Sequence, residues 1–465
     1  MSETIFASHA ADGEDGIHDT EDRLLPEYVR DVLDAVDEGR IEEARELVEP
    51  LHPADIADLI ELAPEDERPD LISALGDAVD SDVYAEMNEH VRELVIEEMD
   101  PAIAASIASD METDDAVAVL EDLEEEDQRA ILDEMEPEDR IAVEEALSYP
   151  EETAGRIMQR DTIAVPEGWN VGQVIDYLRS DTELTDDFWE VFVVGPQHHP
   201  VGTTKLSVLL RTKRDVPITE IMQEEQTLIP VDMDQEEVAL KFQKYALISA
   251  AVVDPVGRLV GMITVDDIVH IIEEEATEDA LLLSGAGDGD INEPVREAYQ
   301  DRVRWLIANL GTALLATFVI AQFEDTIARL AILAALMPIV AALGGNAGTQ
   351  ALAVTVRAIA TNQLTGSNRW RSVKRELKVA ILNGLTVAAI LGIGVSVFLD
   401  PTIGWVIAAA ILFNIIVAGM AGVLVPVTLE RFGADPAVAS SVFVTTVTDT
   451  MGFLAFLGLA SVVLL

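Results

Sequence analysis

The sequence contains no cysteine among its 465 residues, which excludes disulfides and thiolate metal sites. Basic residues are also scarce: residues 1–300 hold 19 Lys and Arg against 79 Asp and Glu, whereas residues 301–465 hold 10 and 8. This asymmetry predicts two different parts that join near residue 300. The first residues lack the basic and apolar regions of a signal peptide, and we expect 1–22 to form a disordered acidic leader.

The shortage of positive charge restricts the partners of the first part. A net charge of −60 over residues 1–300 repels nucleic acid. Two compatible explanations remain for it. One is adaptation to high salt, as in a halophile of archaeal type, and the other is a carboxylate-rich receptor for hard divalent cations. No nucleophile–base pair, phosphate-binding loop or histidine metal set is apparent, so we do not expect an enzyme.

Apolar residues recur at spacings of three and four between residues 24 and 149, which predicts helices. Three of these helices are expected to begin at Pro53, Pro101 and Pro137, each with an acidic residue nearby. The quasi-repeat predicts a helical superhelix over residues 23–150. An irregular helical bundle is the alternative.

Two stretches of mixed strand and helix follow, at 151–212 and 213–268, and they resemble each other. Together they resemble a tandem of CBS modules, an α/β fold, and DPVGRLVGMITVDD makes the second copy the better match. In CBS modules a Thr-x-x-Asp can hold a nucleotide ribose. The resemblance therefore implies a nucleotide site, with ATP as the nucleotide, at Thr264 and Asp267. The alternative is that the acids there only begin a helix.

An acidic helix and a glycine-rich hinge are predicted over 269–294, before a membrane domain over 295–465. Five apolar segments are each long enough to span a bilayer: 305–322, 327–346, 379–399, 404–426 and 437–464. Arginines precede the first span, and six Lys and Arg lie between the second and third. The positive-inside rule then predicts a cytoplasmic N-terminus and an external C-terminus.

Two features of the spans point to transport. Asp449 is the lone carboxylate between Val442 and Leu465, and a carboxylate within a membrane helix is costly unless it faces a pore or a partner. The second span ends in PIVAALGGNAGTQ, Pro338 to Gln350. Its glycines either let helices approach closely or break the helix, and both occur where main chain lines a pore.

The PIVAALGGNAGTQ segment, Asp449, the five spans, the CBS pair and the YPEETAGRIM junction (Tyr149 to Met158) together resemble the MgtE family of magnesium channels, over nearly the whole chain. The resemblance implies a homodimeric, Mg²⁺-selective channel or transporter in the cell membrane, gated by cytosolic Mg²⁺ bound between acidic domains. It implies that Asp449 of two subunits holds a hydrated ion in the pore, near Asn346. Thr445 lies one turn before Asp449 and is expected on the same side.

The sensing residues are harder to select, because carboxylates occur in nearly every segment. The candidates are Asp267, Glu275, Glu278 and Asp279 on the acidic helix, Asp232 and Asp234 in the second module, and Asp114 and Asp115 in the helical domain. Taken singly, each is more typical of a solvated surface than of a metal ligand.

Two rival functions remain open. The first is transport of another divalent ion, such as Co²⁺, Mn²⁺ or Ca²⁺, although no His or Met cluster favours soft metals. The second is a membrane-anchored CBS nucleotide sensor, for which Asp449 would be superfluous. The expected fold is multi-domain and mainly α in each case.

Overall fold

The computed structural model divides the chain into two compact units, residues 1–272 and 273–465. The residues that it describes are 16–20, 23–180, 184–185, 188–285, 289–364, 368–437 and 440–465.

The first unit begins with short helices joined by tight turns. In the described residues up to 150 they are α1 Pro26–Asp37, α2 Ile41–Val48, α3 Pro53–Leu62, α4 Arg68–Leu75, α5 Ser81–Glu86, α6 Glu89–Glu97, α7 Pro101–Ser109, α8 Thr113–Glu121, α9 Glu125–Glu134 and α10 Pro137–Leu147. The three proline-led helix starts are as predicted. Proline suits the first helical turn because that turn has no helical partner for its N–H groups. In α3, His52 accepts from the Ala54 N–H and Asp55 accepts from the His52 N–H, which completes a capping box.

Most of the predicted acidic leader, 1–15 and 21–22, lies outside the described residues. The part that is described contacts the helices: the Nε2 of His18 lies 3.1 Å from the Oδ1 of Asp55. One apolar core joins the helices from Leu24 to Ala146, and Leu59 and Leu71 at its centre are fully buried.

Two similar α/β modules follow. Their elements are β1 Ala164–Pro166, α11 Val171–Leu178, β2 Glu190–Val194, β3 Pro200–Lys205, α12 Leu206–Arg211, β4 Leu228–Pro230, α13 Gln235–Tyr245, β5 Ser249–Val253 and β6 Leu259–Thr264. In each sheet the first strand pairs parallel to the second and the second pairs antiparallel to the third. Each second strand has an irregularity at its last residue, Val194 or Val253. The predicted duplication and element order are confirmed.

The residues that open each module contact the other module's sheet. Gln159 bridges to Met262 in β6, and Gln223 bridges to Thr203 in β3. The side chain of Met158 is packed in the core of the second module. This exchange places Gln159 beside the start of the next helix, α14, which runs from Val265 to Ser284.

The second unit contains five helices long and apolar enough to cross a membrane, as predicted. They are α15 Val295–Ala321, α17 Ile332–Ala360, α18 Arg369–Phe398, α19 Pro401–Arg431 and α20 Ser440–Val463, with the short α16 Glu324–Arg329 between the first two. The most buried is α19, which packs against α17, α18 and α20, whereas α15 packs against α20. The mainly α, multi-domain fold class is therefore confirmed.

The glycine-rich segment does not break its helix. Helix α17 continues through Pro338 and all three glycines to Ala360, so the alternative of a broken helix is wrong. Gly348 serves close approach instead: a Cβ on Gly422 of α19 would lie 2.7 Å from the carbonyl oxygen of Gly348. Small residues let two membrane helices come together in this way.

Candidate functional site

Asp449 lies on α20 beside a recess of ≈ 310 Å³ between α20 and α15. Thr445 and Asp449 line the same recess, which agrees with their spacing of one helical turn. Helix α15 contributes Asn309 and Thr312. The lining therefore combines one carboxylate with hydroxyl and amide oxygens, the ligand types that Mg²⁺ and Ca²⁺ prefer.

Asn346 is not among the residues that line this recess. It lies on an exposed face of α17 together with Thr349 and Gln350. The Thr349 hydroxyl donates to the Gly345 carbonyl at 3.0 Å, but an amide facing hydrocarbon would be costly. This face of α17 therefore requires a cover more polar than lipid tails.

Sequence reasoning missed Asn414, in the middle of α19. Its side chain is fully buried, and its Nδ2 donates to the carbonyl oxygen of Val340 on α17 at 3.0 Å. Asn309 and Thr312 were missed as well. The signal in the sequence was a single amide in an apolar span. Like a single carboxylate there, it is costly unless it has a polar partner.

In the first unit, an acidic cluster forms where α8, Gln159 and the start of α14 meet. Gln159 donates from Nε2 to Glu112 and, at 3.4 Å, to the Oδ2 of Asp267. The Thr264 hydroxyl donates to the same Oδ2 at 2.6 Å. Within the described residues, the Oδ1 of Asp114 is buried without a hydrogen-bond partner.

These carboxylates affect one another's titration. Burial and then the charge of Asp267 raise the pKa of Asp114 well above its usual value. Burial and the charge of Asp267 also raise the pKa of Asp115 to about 6, against a weaker opposing effect of Arg92. Burial raises the pKa of Asp267, and the hydrogen bond from Thr264 opposes that rise. The structure thus brings together three of the eight predicted sensing residues, and their ionised forms repel.

The other five are placed elsewhere. Asp232 and Asp234 are exposed, and Asp234 caps α13 by accepting from the Glu236 and Glu237 N–H groups. Glu275 and Glu278 lie on the second-unit part of α14. The side chain of Asp279 lies outside the described residues. Among the side chains described, no three His, Asp or Glu stand ready to hold a metal ion by themselves.

The nucleotide prediction concerns Thr264 and Asp267, which lie at the end of β6 and the start of α14. Thr264 is buried, and its hydroxyl is committed to Asp267. A ribose would have to displace that hydrogen bond, and a triphosphate would meet the negative charge of the cluster. The nucleotide site stays a prediction.

Family models match three parts of the chain. They describe a divalent cation transporter (residues 337–459), the MgtE intracellular N domain (residues 51–152) and a CBS domain (residues 218–274). The CBS match covers the second module, which the sequence also favours.

Comparisons with two magnesium transporters, each over 69% of this chain, agree. The chain is 32% identical over 324 residues to the magnesium transporter MgtE of Enterococcus faecalis, covering 69% of this chain and 71% of that one. It is 32% identical over 328 residues to the magnesium transporter MgtE of Thermus thermophilus, covering 69% and 72%. A crystal structure of the cytosolic domain of the Mg²⁺ channel MgtE in complex with ATP matches with 27% identity and a TM-score of 0.49, over 52% of this chain and 99% of that one. These relatives are bacterial and give no support to an archaeal-type origin. The identity and coverage show that the chain belongs to the MgtE family.

Proposed function

We propose that this protein carries Mg²⁺ across the cell membrane and that Asp449 holds the hydrated ion. The observation that carries the proposal is the position of Asp449, half-buried on an apolar helix beside a recess lined by hydroxyl and amide groups. The names and coverage of the MgtE relatives support it.

The chemistry of Mg²⁺ fits this lining. The ion gives up its water reluctantly and is usually held through one or two carboxylates and several waters. One carboxylate with Thr445, Thr312 and Asn309 can accept from or donate to such waters. Binding through water is also weak enough for the ion to leave, which conduction requires.

We further propose that two chains form the pore. A two-fold axis along the exposed face of α17 would cover Asn346, Thr349 and Gln350 with a second copy or with pore water. It would also bring two Asp449 carboxylates into one pathway, where a divalent cation relieves their repulsion. Homodimerisation is thus the state that removes the cost of the polar face.

Uptake of Mg²⁺ into vesicles by reconstituted full-length protein tests the transport site. Asp449→Asn should remove most of the uptake, because the amide keeps the shape and loses the charge. Asp325→Asn is the matched control, since Asp325 is an exposed carboxylate in the same unit. Equal uptake by Asp449→Asn and wild type would refute the pore assignment. Competition by Co²⁺, Mn²⁺ and Ca²⁺ in the same assay decides among the divalent ions.

We propose that cytosolic Mg²⁺ closes the pathway by binding at the acidic cluster. Asp114, Asp115 and Asp267 would hold the ion, and the buried Oδ1 of Asp114 that lacks a partner within the described residues fits such a ligand. Without the cation the ionised carboxylates repel, which favours separation of α8 from α14. The acidic α14 leads on towards the membrane unit and would transmit the change.

The gating proposal is tested in the same vesicles by varying Mg²⁺ on the cytosolic side alone. Wild-type uptake should fall as cytosolic Mg²⁺ rises, and Asp114→Asn with Asp267→Asn should flatten that dependence. Asp232→Asn, an exposed carboxylate of the same unit, should leave it unchanged. An unaltered half-inhibiting concentration in the double variant would exclude the cluster. Adding ATP tests the nucleotide prediction at Thr264 and Asp267.

The same proposal places the protein in the cell membrane with a cytoplasmic N-terminus. The basic residues around α18 support this orientation. The excess of acidic residues supports work in a high-salt cytoplasm, where ions screen the self-repulsion of the first unit.

A further inference from the structure

Asn414 occupies a buried position that an apolar side chain would fill at a lower cost in free energy. It lies in the span Pro401–Arg431 and is 0% exposed. Its Nδ2 donates to Val340, while its Oδ1 is buried with no hydrogen-bond partner among the described residues. An unsatisfied buried polar atom carries a free-energy cost and calls for an explanation.

Two glycines on two different helices make room for this amide. A Cβ on Gly344 of α17 would overlap the Asn414 amide, and a Cβ on Gly452 of α20 would lie 2.5 Å from Nδ2. Any other residue at either position would displace Asn414. The amide is therefore held between α17 and α20, with its one hydrogen bond to α17.

These glycines lie close in sequence to the residues proposed for transport. Gly344 is two residues before Asn346, so the two point to opposite sides of α17, and Gly344 is buried while Asn346 is exposed. Gly452 is three residues after Asp449 on α20. Any slip of either helix at the amide would move Asn346 or Asp449 by a similar distance.

Building on the proposed function, we infer that Asn414 is a positioning residue that fixes the register of α17 and α20, and with it the separation of Asn346 and Asp449. An apolar side chain packs almost equally well at neighbouring positions along a helix surface. An amide that makes one directional hydrogen bond and lies between two glycines fits in one position only. Buried polar residues that set helix register at a cost in stability are known in helical assemblies.

Asn414→Leu tests this inference, because leucine keeps the branching and the number of side-chain heavy atoms and lacks the hydrogen bond. The half-saturating Mg²⁺ concentration should rise about threefold or more, in line with the loss of one interhelical hydrogen bond in a membrane. The preference for Mg²⁺ over Ca²⁺ should fall, while the yield of folded protein stays near that of wild type. Unchanged affinity and preference would overturn the inference, as would a loss of folded protein alone.

A pair of substitutions that compensate for each other in volume separates the packing role of Asn414 from its positioning role. Gly452→Ala should lower the yield of folded protein, and adding Asn414→Ala should restore the yield because the methyl group then has room. Affinity should stay weakened in the pair, since the hydrogen bond to Val340 is still missing. Full recovery of affinity in the pair would show that Asn414 acts by packing only.

A measurement independent of transport keeps this test apart from the proposed function. The chain has no cysteine, so spin labels can be attached specifically to cysteines introduced at Val354 of α17 and Phe443 of α20, both 50% exposed. Asn414→Leu should broaden or shift the distance distribution between the labels. An unchanged distribution would refute the register role even if Mg²⁺ transport itself were not observed.

Discussion

Replacing Asp115 by asparagine should stabilise the first unit when Mg²⁺ is absent. The carboxyl group is largely buried beside Asp267, and its pKa is raised to about 6 from 3.8. A raised carboxyl pKa means that folding disfavours the ionised form. At neutral pH the folded protein therefore carries a free-energy penalty that the isosteric amide does not.

The size of the penalty follows from the shift. A rise of about two pKa units at 1.36 kcal/mol each corresponds to about 3 kcal/mol at pH 7. The penalty is complete above pH 6 and disappears as the pH falls from 6 to below 3.8, because the carboxyl group is then protonated in the unfolded state too. For a unit of this size, about 3 kcal/mol corresponds to about 6–12 °C in the midpoint of thermal unfolding.

The assay is thermal unfolding of the full-length protein in detergent with a chelator, at pH 7.5 and at pH 5. Asp115→Asn should unfold at the higher temperature at pH 7.5, and the gap to wild type should shrink to about half at pH 5. Asp232→Asn removes the same charge from an exposed position and corrects for the general relief of repulsion. Equal midpoints of Asp115→Asn and Asp232→Asn at pH 7.5 would refute the reasoning.

Two further predictions concern packing and a buried ion pair. Gly422→Leu should reduce the amount of folded protein recovered from membranes, measured by size-exclusion chromatography, because overpacking against Gly348 costs about 1–3 kcal/mol or more. Gly394→Leu is the control, since an added Cβ there meets no atom within 4 Å, and it should leave the recovered amount unchanged. Arg156→Met should destabilise the first unit by about 3 kcal/mol, since it leaves Glu121, 2.9 Å from the guanidinium, without its counter-charge. Burial raises the pKa of Glu121 to about 7, so this loss in thermal stability should be larger at pH 8 than at pH 6, and the opposite order would contradict it.

The fold was predictable where local signals repeat. Pro53, Pro101 and Pro137 each begin a helix because proline is favoured in the first helical turn and disfavoured further along the helix. This preference can be recognised in the sequence without tertiary information. The exchange of Met158 onto the second module was not readable. The two modules have similar sheets, so the sequence does not indicate which of them Met158 packs against. The path of the chain between the modules decides this.

Asp449 was predictable because a single charge in an apolar span is conspicuous, whereas the acidic cluster was not. The chain has 87 Asp and Glu, and their clustering depends on contacts between residues distant in sequence, such as Asp114 and Asp267. Their raised pKa values belong to the folded arrangement alone.

The glycine-rich segment shows why residue type alone leaves two structures open. Glycine permits both a broken helix and a close approach, and the choice depends on what lies opposite. Here the opposite helix presents Asn414 to Gly344 and a backbone close to Gly348, so an unbroken α17 gains contacts that a broken one would lose. An amide in one span thus explains the glycines in another, and the pairing becomes visible only when the two helices are placed side by side.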